Sequence, residues 1–232
     1  MRKEVLNTTK MLAVTAASIV LLAAAGAGAQ EIRGKQAGDF NVRVRGIAVV
    51  PDNGARPVNN ATTGAKASTL ERVDDAAAPE IDFSYFVTSN IAFELIAATT
   101  RHKLSVGAPS FNNGTKLGNV GVLPPTLTLQ YHPLPKSTFS PYFGAGVNYT
   151  FFYNVEPDVA NFNGLKLKNN WGWALQAGVD VLTTGPWSLN VDVKKIFLKT
   201  EATVNLNPAT GLRVDDVKLD PWVFGAGIGY RF

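Results

Sequence analysis

The chain has 232 residues, no cysteine and a formal net charge of +4 at neutral pH. The lack of cysteine excludes disulfide bonds and thiolate catalysis, and it removes most structural zinc sites. The lysines and arginines are scattered rather than clustered, so the charge does not indicate a nucleic-acid-binding surface.

Residues 1–29 have the layout of a secretory signal peptide. Three basic residues precede the apolar run Met11–Ala25, which is short for a membrane-spanning helix, and small residues ending at Ala29 then fit a cleavage site. We therefore expect export, cleavage near Ala29 and a single mature domain over residues 30–232. A retained anchor helix is the alternative reading of the apolar run.

Beyond residue 29, bulky apolar residues alternate with small or polar ones in segments separated by turns. The period of two predicts eight strands, near Asp39–Pro51, Ala78–Thr88, Asn90–Lys103, Val120–Pro133, Phe139–Asn154, Trp171–Thr183, Trp187–Val204 and Val217–Phe232. Connections after the even-numbered strands are short, whereas those after the odd-numbered strands are long and polar. This layout is typical of an outer-membrane barrel. The sequence therefore predicts an all-β fold, an eight-stranded antiparallel transmembrane β-barrel.

Alternation also divides each strand between two faces, because successive side chains point to opposite sides of a sheet. One face is almost wholly apolar and carries the four tryptophans near strand ends, which is typical of the aromatic girdles of membrane barrels. Eight strands enclose too little space for this set, so we expect it to face lipid. Lys195 is an exception on that face, and we expect a β-bulge or a snorkelling side chain there.

The opposite face, which we expect to line the lumen, divides into two layers. The layer nearer the short turns is charged, and it predicts a plug of ion pairs formed by Arg43, Arg45, Glu94, Asp180, Asp192, Lys194 and Arg231, with Asp82 at its edge. The layer above is apolar, and it predicts an entrance lined by Ile47, Val49, Ile96, Phe152, Ile196, Leu198, Leu219 and Val223. Ion pairs that only fill a narrow lumen, and apolar packing without a ligand, are the alternatives.

Several long motifs occur in the order found in a known family. They are Leu123–Leu127 (LPPTL), Ser140–Phe152 (SPYFGAGVNYTFF), Gln176–Asp180 (QAGVD) and Lys218–Phe232 (KLDPWVFGAGIGYRF). On these segments the chain resembles the OmpW family. The resemblance implies an eight-stranded outer-membrane barrel with a hydrophobic lumen that carries small apolar molecules inward and releases them sideways, because the periplasmic end is closed. The chain departs from the family at Lys194, where members can carry a bulky aromatic, and this bears on the depth of the apolar lumen.

The predicted function is thus passive uptake of small hydrophobic molecules by an integral outer-membrane protein. The expected partners are outer-membrane lipid, lipopolysaccharide, the transported molecules and the barrel assembly machinery, which we expect to recognise the terminal Tyr230 and Phe232. No nucleic acid, cofactor or metal is expected. The alternative function is a closed structural or surface-interaction barrel whose outer loops, within residues 52–75 or 155–169, bind a phage, bacteriocin or host partner.

Catalysis is not expected, and no enzyme is predicted. His102 lies close in sequence to Ser105, but no orienting acid accompanies them, and a serine nucleophile needs both a base and such an acid. Two acidic pairs, at 74–75 and 215–216, fall in predicted outer loops. We expect them to be solvated, and a divalent cation or a bridge to lipopolysaccharide is the alternative.

Overall fold

The computed structural model describes residues 32–52, 56–60, 66–107, 115–157, 162–206 and 210–232. The predicted signal peptide, residues 1–29, lies outside the described residues. In chain order the strands are β1 (Phe40–Val50), β2 (Arg56–Asn60), β3 (Lys66–Val73), β4 (Ala76–Phe86), β5 (Ile91–Ala98), β6 (Thr100–Gly107), β7 (Thr115–Leu123), β8 (Thr126–Tyr131), β9 (Phe139–Pro157), β10 (Phe162–Leu167), β11 (Asn170–Leu182), β12 (Trp187–Leu206), β13 (Thr210–Lys218) and β14 (Trp222–Arg231). The described part of the chain contains no helix with the length and apolarity needed to span a membrane.

Eight of these strands close into an antiparallel ring, which we call the lower barrel. The order around the ring is β1, β4, β5, β8, β9, β11, β12 and β14. β14 pairs with β1 from Asn41 opposite Arg231 to Val50 opposite Trp222, and this pairing closes the ring and leaves no free sheet edge. The predicted eight-stranded antiparallel barrel is confirmed.

A second set of strands, which we call the collar, continues the wall at the end away from the short turns. It consists of β2, β3, β6, β7, β10 and β13 together with the upper ends of β9 and β12. The sequence predicts long loops over much of this region, and that part of the prediction is wrong. Much of the collar sequence is polar and lacks the steady apolar face that lipid imposes on spanning strands, so alternation reveals the collar only in part, in β6 and β7.

The apolar faces of the lower-barrel strands point outward, away from the lumen. Trp171 and Trp173 on β11 are 66% and 69% exposed, whereas Arg43 and Arg45 on β1 are 0% and 1% exposed. Exposed Phe, Leu, Ile and Val side chains recur around the ring, as on Leu127 and Leu129 of β8. An apolar exterior around a polar interior is the arrangement that a lipid bilayer requires of a barrel.

Lys195 lies on this outer face without a β-bulge. The pairing of β12 with β11 and with β14 runs through Lys195 without a change of register. Its Nζ donates to the backbone carbonyl of Asp220 at 2.5 Å and lies 4.9 Å from the centre of the Trp222 ring. Of the two expected arrangements, the bulge is absent and the snorkelling side chain is present, because Lys195 directs its charge along the surface to a carbonyl and an aromatic face.

Candidate functional site: an apolar cavity above a buried ion-pair network

An apolar cavity lies inside the wall where the lower barrel meets the collar. It encloses about 820 Å³ of empty space, its open mouth included. Lower-barrel strands contribute Ile47, Val49, Ile196 and Val223, and the collar contributes side chains such as Leu104.

Most of the residues that the sequence predicts for the entrance meet in this cavity. Its lining includes Ile47, Val49, Phe152, Ile196, Leu198, Leu219 and Val223. Ile96 is also buried, with 3% of its surface exposed, but it is not among the lining side chains. It lies one step below them, opposite Asp82 on β4 and Thr126 on β8.

Part of the lining was not predicted from the sequence. Ala98 ends β5, and Leu104, Val120 and Val122 belong to collar strands β6 and β7. The alternating apolar residues of β6 and β7 carry a signal that could have identified them, but the region was assigned partly to a loop. Ala98 offers no such signal, because it follows another alanine and the two small side chains show no contrast between the lumen face and the outer face.

His102 is also part of the cavity wall, although its ring is fully engaged within the protein. Nδ1 lies 2.8 Å from the Asp74 carbonyl, and Nε2 lies 2.9 Å from the Thr100 hydroxyl. Neither of these contacts involves Ser105. Among the described residues no group of three or more histidines and acids could hold a metal ion.

The floor of the cavity is the upper layer of a buried ion-pair network. Lys194 Nζ lies 2.8 Å from Glu80 Oε1 and 3.1 Å from Asp192 Oδ1. Arg45 extends the layer, with Nη2 at 2.9 Å from Glu80 Oε1 and 2.7 Å from Asp82 Oδ2. Its Nη1 reaches Asp192 Oδ1 at 3.5 Å. All five side chains are buried, so each charge depends on its partners for the solvation that water would otherwise supply.

A lower layer continues the network towards the short turns. Arg43 places Nη1 at 2.7 Å from Glu94 Oε1 and Nη2 at 2.9 Å from Asp180 Oδ2. The amides of Gln130 and Gln176 donate to Glu94 Oε2 at 2.7 and 2.9 Å. Two carboxylates are thus held by a guanidinium and two amides, which is the hydrogen-bonded state that buried charges need.

Lys35 completes the lower layer from outside the strands. It belongs to the N-terminal segment, residues 32–39, and its Nζ lies 2.7 Å from Asp180 Oδ2, 2.7 Å from His132 Nδ1 and 2.9 Å from Ser140 Oγ. Burial lowers the pKa of the Lys35 ammonium from its usual 10.5 to about 8, although Asp180 opposes the shift. The sequence pattern could not identify Lys35. This residue precedes the first strand, so alternation does not assign its side chain to the lumen or to the outer face.

Arg231 is part of this lower end rather than of the central network. Its Nε lies 3.3 Å from Asp39 Oδ2, and its guanidinium also donates to the Arg33 carbonyl. Backbone bonds from Lys35 to Pro135 and from Gly38 to Phe86 hold the same segment against the short turns. The structure thus places Arg231 beside the N-terminal segment at the lower end of the network, where it lines a small pocket together with Lys35 and Asp180.

The wall beside the cavity has an interrupted ladder between β5–β6 and β7–β8. Paired residues end at Ile96 opposite Thr126 and resume at Thr100 opposite Val122. Pro124 and Pro125 lie in the intervening stretch, and proline has no N–H to donate to a neighbouring strand. The carbonyls of both prolines accept instead from Asn148 on β9, at 3.1 and 3.3 Å.

A similar interruption at residues 219–221 is bridged by hydrogen bonds. Ile196 N–H donates to the Pro221 carbonyl at 3.1 Å, and Leu219 N–H donates to the Leu198 carbonyl at 2.9 Å. The Asp220 carboxylate then accepts from Leu198 N–H at 2.8 Å. The Pro124-Pro125 stretch is bridged to β9 in the same way, by the Tyr149 N–H and the Asn148 amide, so the interruption of the wall lies on its side towards β5.

The last residues of the chain lie on the outside of the seam between β14 and β1. Phe232 is 63% exposed, and its ring centre lies 4.8 Å from that of Tyr230. Its backbone N–H donates to the Phe40 carbonyl at 2.8 Å, one step beyond the last ladder pair. Both aromatic side chains are thus presented on the outer face.

Comparisons with known proteins agree with this architecture. The OmpW family model matches residues 36–232. The chain is 40% identical, over 97% of its length and 99% of the relative, to outer-membrane protein y4mB of Sinorhizobium fredii. It is 36% identical to outer membrane protein W of Escherichia coli, over 96% of the chain and 100% of the relative.

A further relative and a solved structure extend the comparison. PahQ of Pseudomonas aeruginosa, named as a dibenzothiophene metabolism operon protein, is 30% identical over 68% of the chain and 72% of the relative. The crystal structure of the outer membrane protein OprG from Pseudomonas aeruginosa matches with a TM-score of 0.78 and 32% identity, over 87% of the chain and 99% of OprG. The protein is integral to the outer membrane, and the chain belongs to the OmpW family.

Proposed function

We propose that this barrel admits small hydrophobic molecules passively from outside the cell into the outer membrane. The observation that carries the proposal is the apolar cavity of about 820 Å³ lying directly above a buried ion-pair network. Apolar solutes gain free energy on leaving water for such a lining, at roughly 25 cal/mol per Å² buried. The charged layers below offer these solutes no comparable environment. The cavity is therefore their entrance, and the ion-pair network blocks their passage further down the lumen.

Release through the wall follows from this arrangement. A solute that cannot pass the charged layers has to leave sideways, and the interrupted ladder beside Pro124 and Pro125 borders the cavity at Ala98 and Thr126. Neither proline has an N–H that could donate to the neighbouring strand, so opening the wall there breaks no hydrogen bond from a proline nitrogen. We therefore propose this junction as the exit into the bilayer.

The proposal includes an apolar aromatic as one solute class and excludes catalysis. The name of the relative PahQ associates it with dibenzothiophene metabolism, and dibenzothiophene is a compact fused aromatic. His102 Nδ1 contacts the backbone carbonyl of Asp74, which is not the orienting acid that a nucleophile and its base need. Outer-membrane lipid and lipopolysaccharide surround the exposed apolar face, and Tyr230 and Phe232 are proposed as the assembly signal.

Blocking the cavity tests the proposal. Ala98→Trp places an indole among the lining side chains, and we expect uptake of labelled dibenzothiophene by cells to fall to nearly the level of cells without the barrel. Ala97→Trp is the matched control, because the adjacent residue points to the outer face and is not part of the lining. Folded protein is quantified for both by heat modifiability. Equal uptake by the two folded variants refutes the cavity as the path.

A further inference from the structure

Hydrogen-bonding groups that remain available to a ligand are concentrated on the floor of the cavity. The hydroxyls of Thr126 and Thr150 on its wall donate within the protein, to the Pro124 carbonyl at 3.0 Å and the Asn148 side-chain oxygen at 2.7 Å. The His102 ring is bound at both nitrogens. The polar side chains of the wall are therefore largely committed to one another.

Glu80 and Lys194 differ from this pattern. Arg45 and Lys194 both contact the same oxygen of Glu80, Oε1, which leaves Oε2 as an acceptor that neither cation uses. The Lys194 ammonium has three N–H donors and directs two of them to Glu80 and Asp192. The floor of an otherwise apolar cavity thus presents one acceptor and one donor, both on side chains that line it.

Glu80 and Lys194 together favour some polar end groups of a ligand over others. A hydroxyl accepts from Lys194 and donates to Glu80, so it satisfies both groups at once. A carboxylate has no hydrogen to give, and it meets a layer where three carboxyl groups, on Glu80, Asp82 and Asp192, already share two cations, Arg45 and Lys194. A pure hydrocarbon satisfies neither group and leaves both buried without a new partner.

We propose that the cavity is a binding site for uncharged amphiphiles, which place an apolar chain or ring against its wall and a hydroxyl on Glu80 and Lys194. This inference rests on the proposed function and specifies the solute class of that same site. It also gives a role to Lys194, a charged side chain on the floor of an otherwise apolar cavity.

The test compares three solutes of the same chain length: 1-octanol, octane and ionised octanoate, each radiolabelled. Retention by the folded barrel in lipid nanodiscs at pH 7.5 is measured above that of empty nanodiscs. We expect octanol to be retained about tenfold more strongly than octane or octanoate, the size of one net hydrogen bond to a charged group.

Glu80→Gln is the decisive variant. The amide still accepts from Lys194 but also supplies N–H donors. We therefore expect the retention of octanol to persist and that of octanoate to rise, until the preference for octanol over octanoate nearly disappears. Glu94→Gln is the matched control, because Glu94 is paired with Arg43 in the layer below and does not line the cavity. It is expected to keep the preference of the parent.

The outcomes separate the inference from the proposed function. Equal retention of the three solutes by the parent, with loss of all three in folded Leu198→Asp, overturns the inference and leaves the cavity as a hydrophobic site. An equal change of preference in Glu80→Gln and Glu94→Gln overturns the inference as well. Retention of none of the solutes by the folded parent overturns both the inference and the cavity's role.

Discussion

At the residue scale, Gly227 of β14 is required by how closely the β1 backbone approaches it. A Cβ placed on Gly227 would lie 2.0 Å from the Val44 carbonyl oxygen and 2.6 Å from Arg45 Cα. These are backbone atoms, so no side-chain rotation relieves the clash. Gly227 therefore permits the seam between β14 and β1 to close over the buried Arg45 side chain.

We predict that Gly227→Ala destabilises the barrel through this seam. The free energy of unfolding in urea should fall by about 3 kcal/mol, at the upper end of the usual cost of overpacking. Gly46→Ala is the control at the same seam: Gly46 pairs with Ala226, and a Cβ there meets nothing within 4 Å. An equal loss of stability in both variants contradicts a specific contact at Gly227.

Residue-level prediction from the sequence succeeds where alternation is steady. The alternation of side chains along β1 correctly places Arg43 and Arg45 inside the barrel, because the strand continues without a shift of register. The sequence does not predict Glu80 as a lumen residue, since the run Ala76–Pro79 before it has no contrast between apolar and polar positions. Counting back two residues from the buried Asp82 could have identified it.

At the element scale, the double proline decides where a strand ends. The sequence predicts one strand over Val120–Pro133, but the structure has β7 ending at Leu123 and β8 beginning at Thr126. Proline interrupts a ladder because it lacks the N–H, and that signal was present in the sequence. Alternation continues across the prolines and conceals the break.

Restoring one N–H at this break should strengthen the wall. The Pro125 carbonyl accepts from Tyr149 N–H on β9 at 3.1 Å. Backbone groups of successive residues in a regular strand point to opposite neighbours, so in a continuous strand we expect a new N–H at residue 124 to point towards β5, whereas the Pro124 carbonyl accepts from the Asn148 side chain on β9. We predict that Pro124→Ala lowers dibenzothiophene uptake by cells several-fold while retention of the same solute in nanodiscs is unchanged.

Pro125→Ala serves as the control for this prediction, because its new N–H points towards β9. We expect its uptake to match that of the parent. Unchanged uptake in folded Pro124→Ala argues against an exit at this junction, and a parallel loss of retention shows instead that the substitution damages the cavity.

At the scale of the whole molecule, the N-terminal segment closes the lower end with a buried ammonium. The pKa of Lys35 is about 8 in the folded barrel and 10.5 as its usual value, because burial disfavours the charge. The unfolded chain therefore binds more protons than the folded one between these two pH values. By linkage, the contribution of Lys35 to stability rises as the pH rises through this window.

We predict that the parent gains stability relative to Lys35→Met when the pH is raised from 7.5 to 10.5. The relative gain should be on the order of 2 kcal/mol, as measured by urea unfolding in lipid at each pH. Other titrating groups are common to both proteins and cancel in the difference. A constant difference across the window refutes the lowered pKa of Lys35.

The overall architecture was predictable because lipid constrains it. A spanning strand has to present an apolar face outward and satisfy its backbone within a closed sheet, so strand number, faces and closure follow from the alternation. The collar is not bound by that constraint, and segments such as β2 and β13 read as loops. The contribution of Lys35 depends on tertiary contacts with Asp180 and His132, which no local pattern encodes.

The continuity of β9 and β12 has a mechanical consequence. These two strands run unbroken from the lower barrel into the collar, and β11 alone separates them in the ring, whereas β1, β4, β5, β8 and β14 stop at the junction. The collar is therefore attached stiffly along one side and loosely along the other, as a lid is attached along its hinge. We expect bending to concentrate along that hinge and to strain the first interruption of the wall beside it, the gap between β5 and β8 next to Pro124 and Pro125. We therefore expect tilting of the collar and opening of the proposed exit to be coupled.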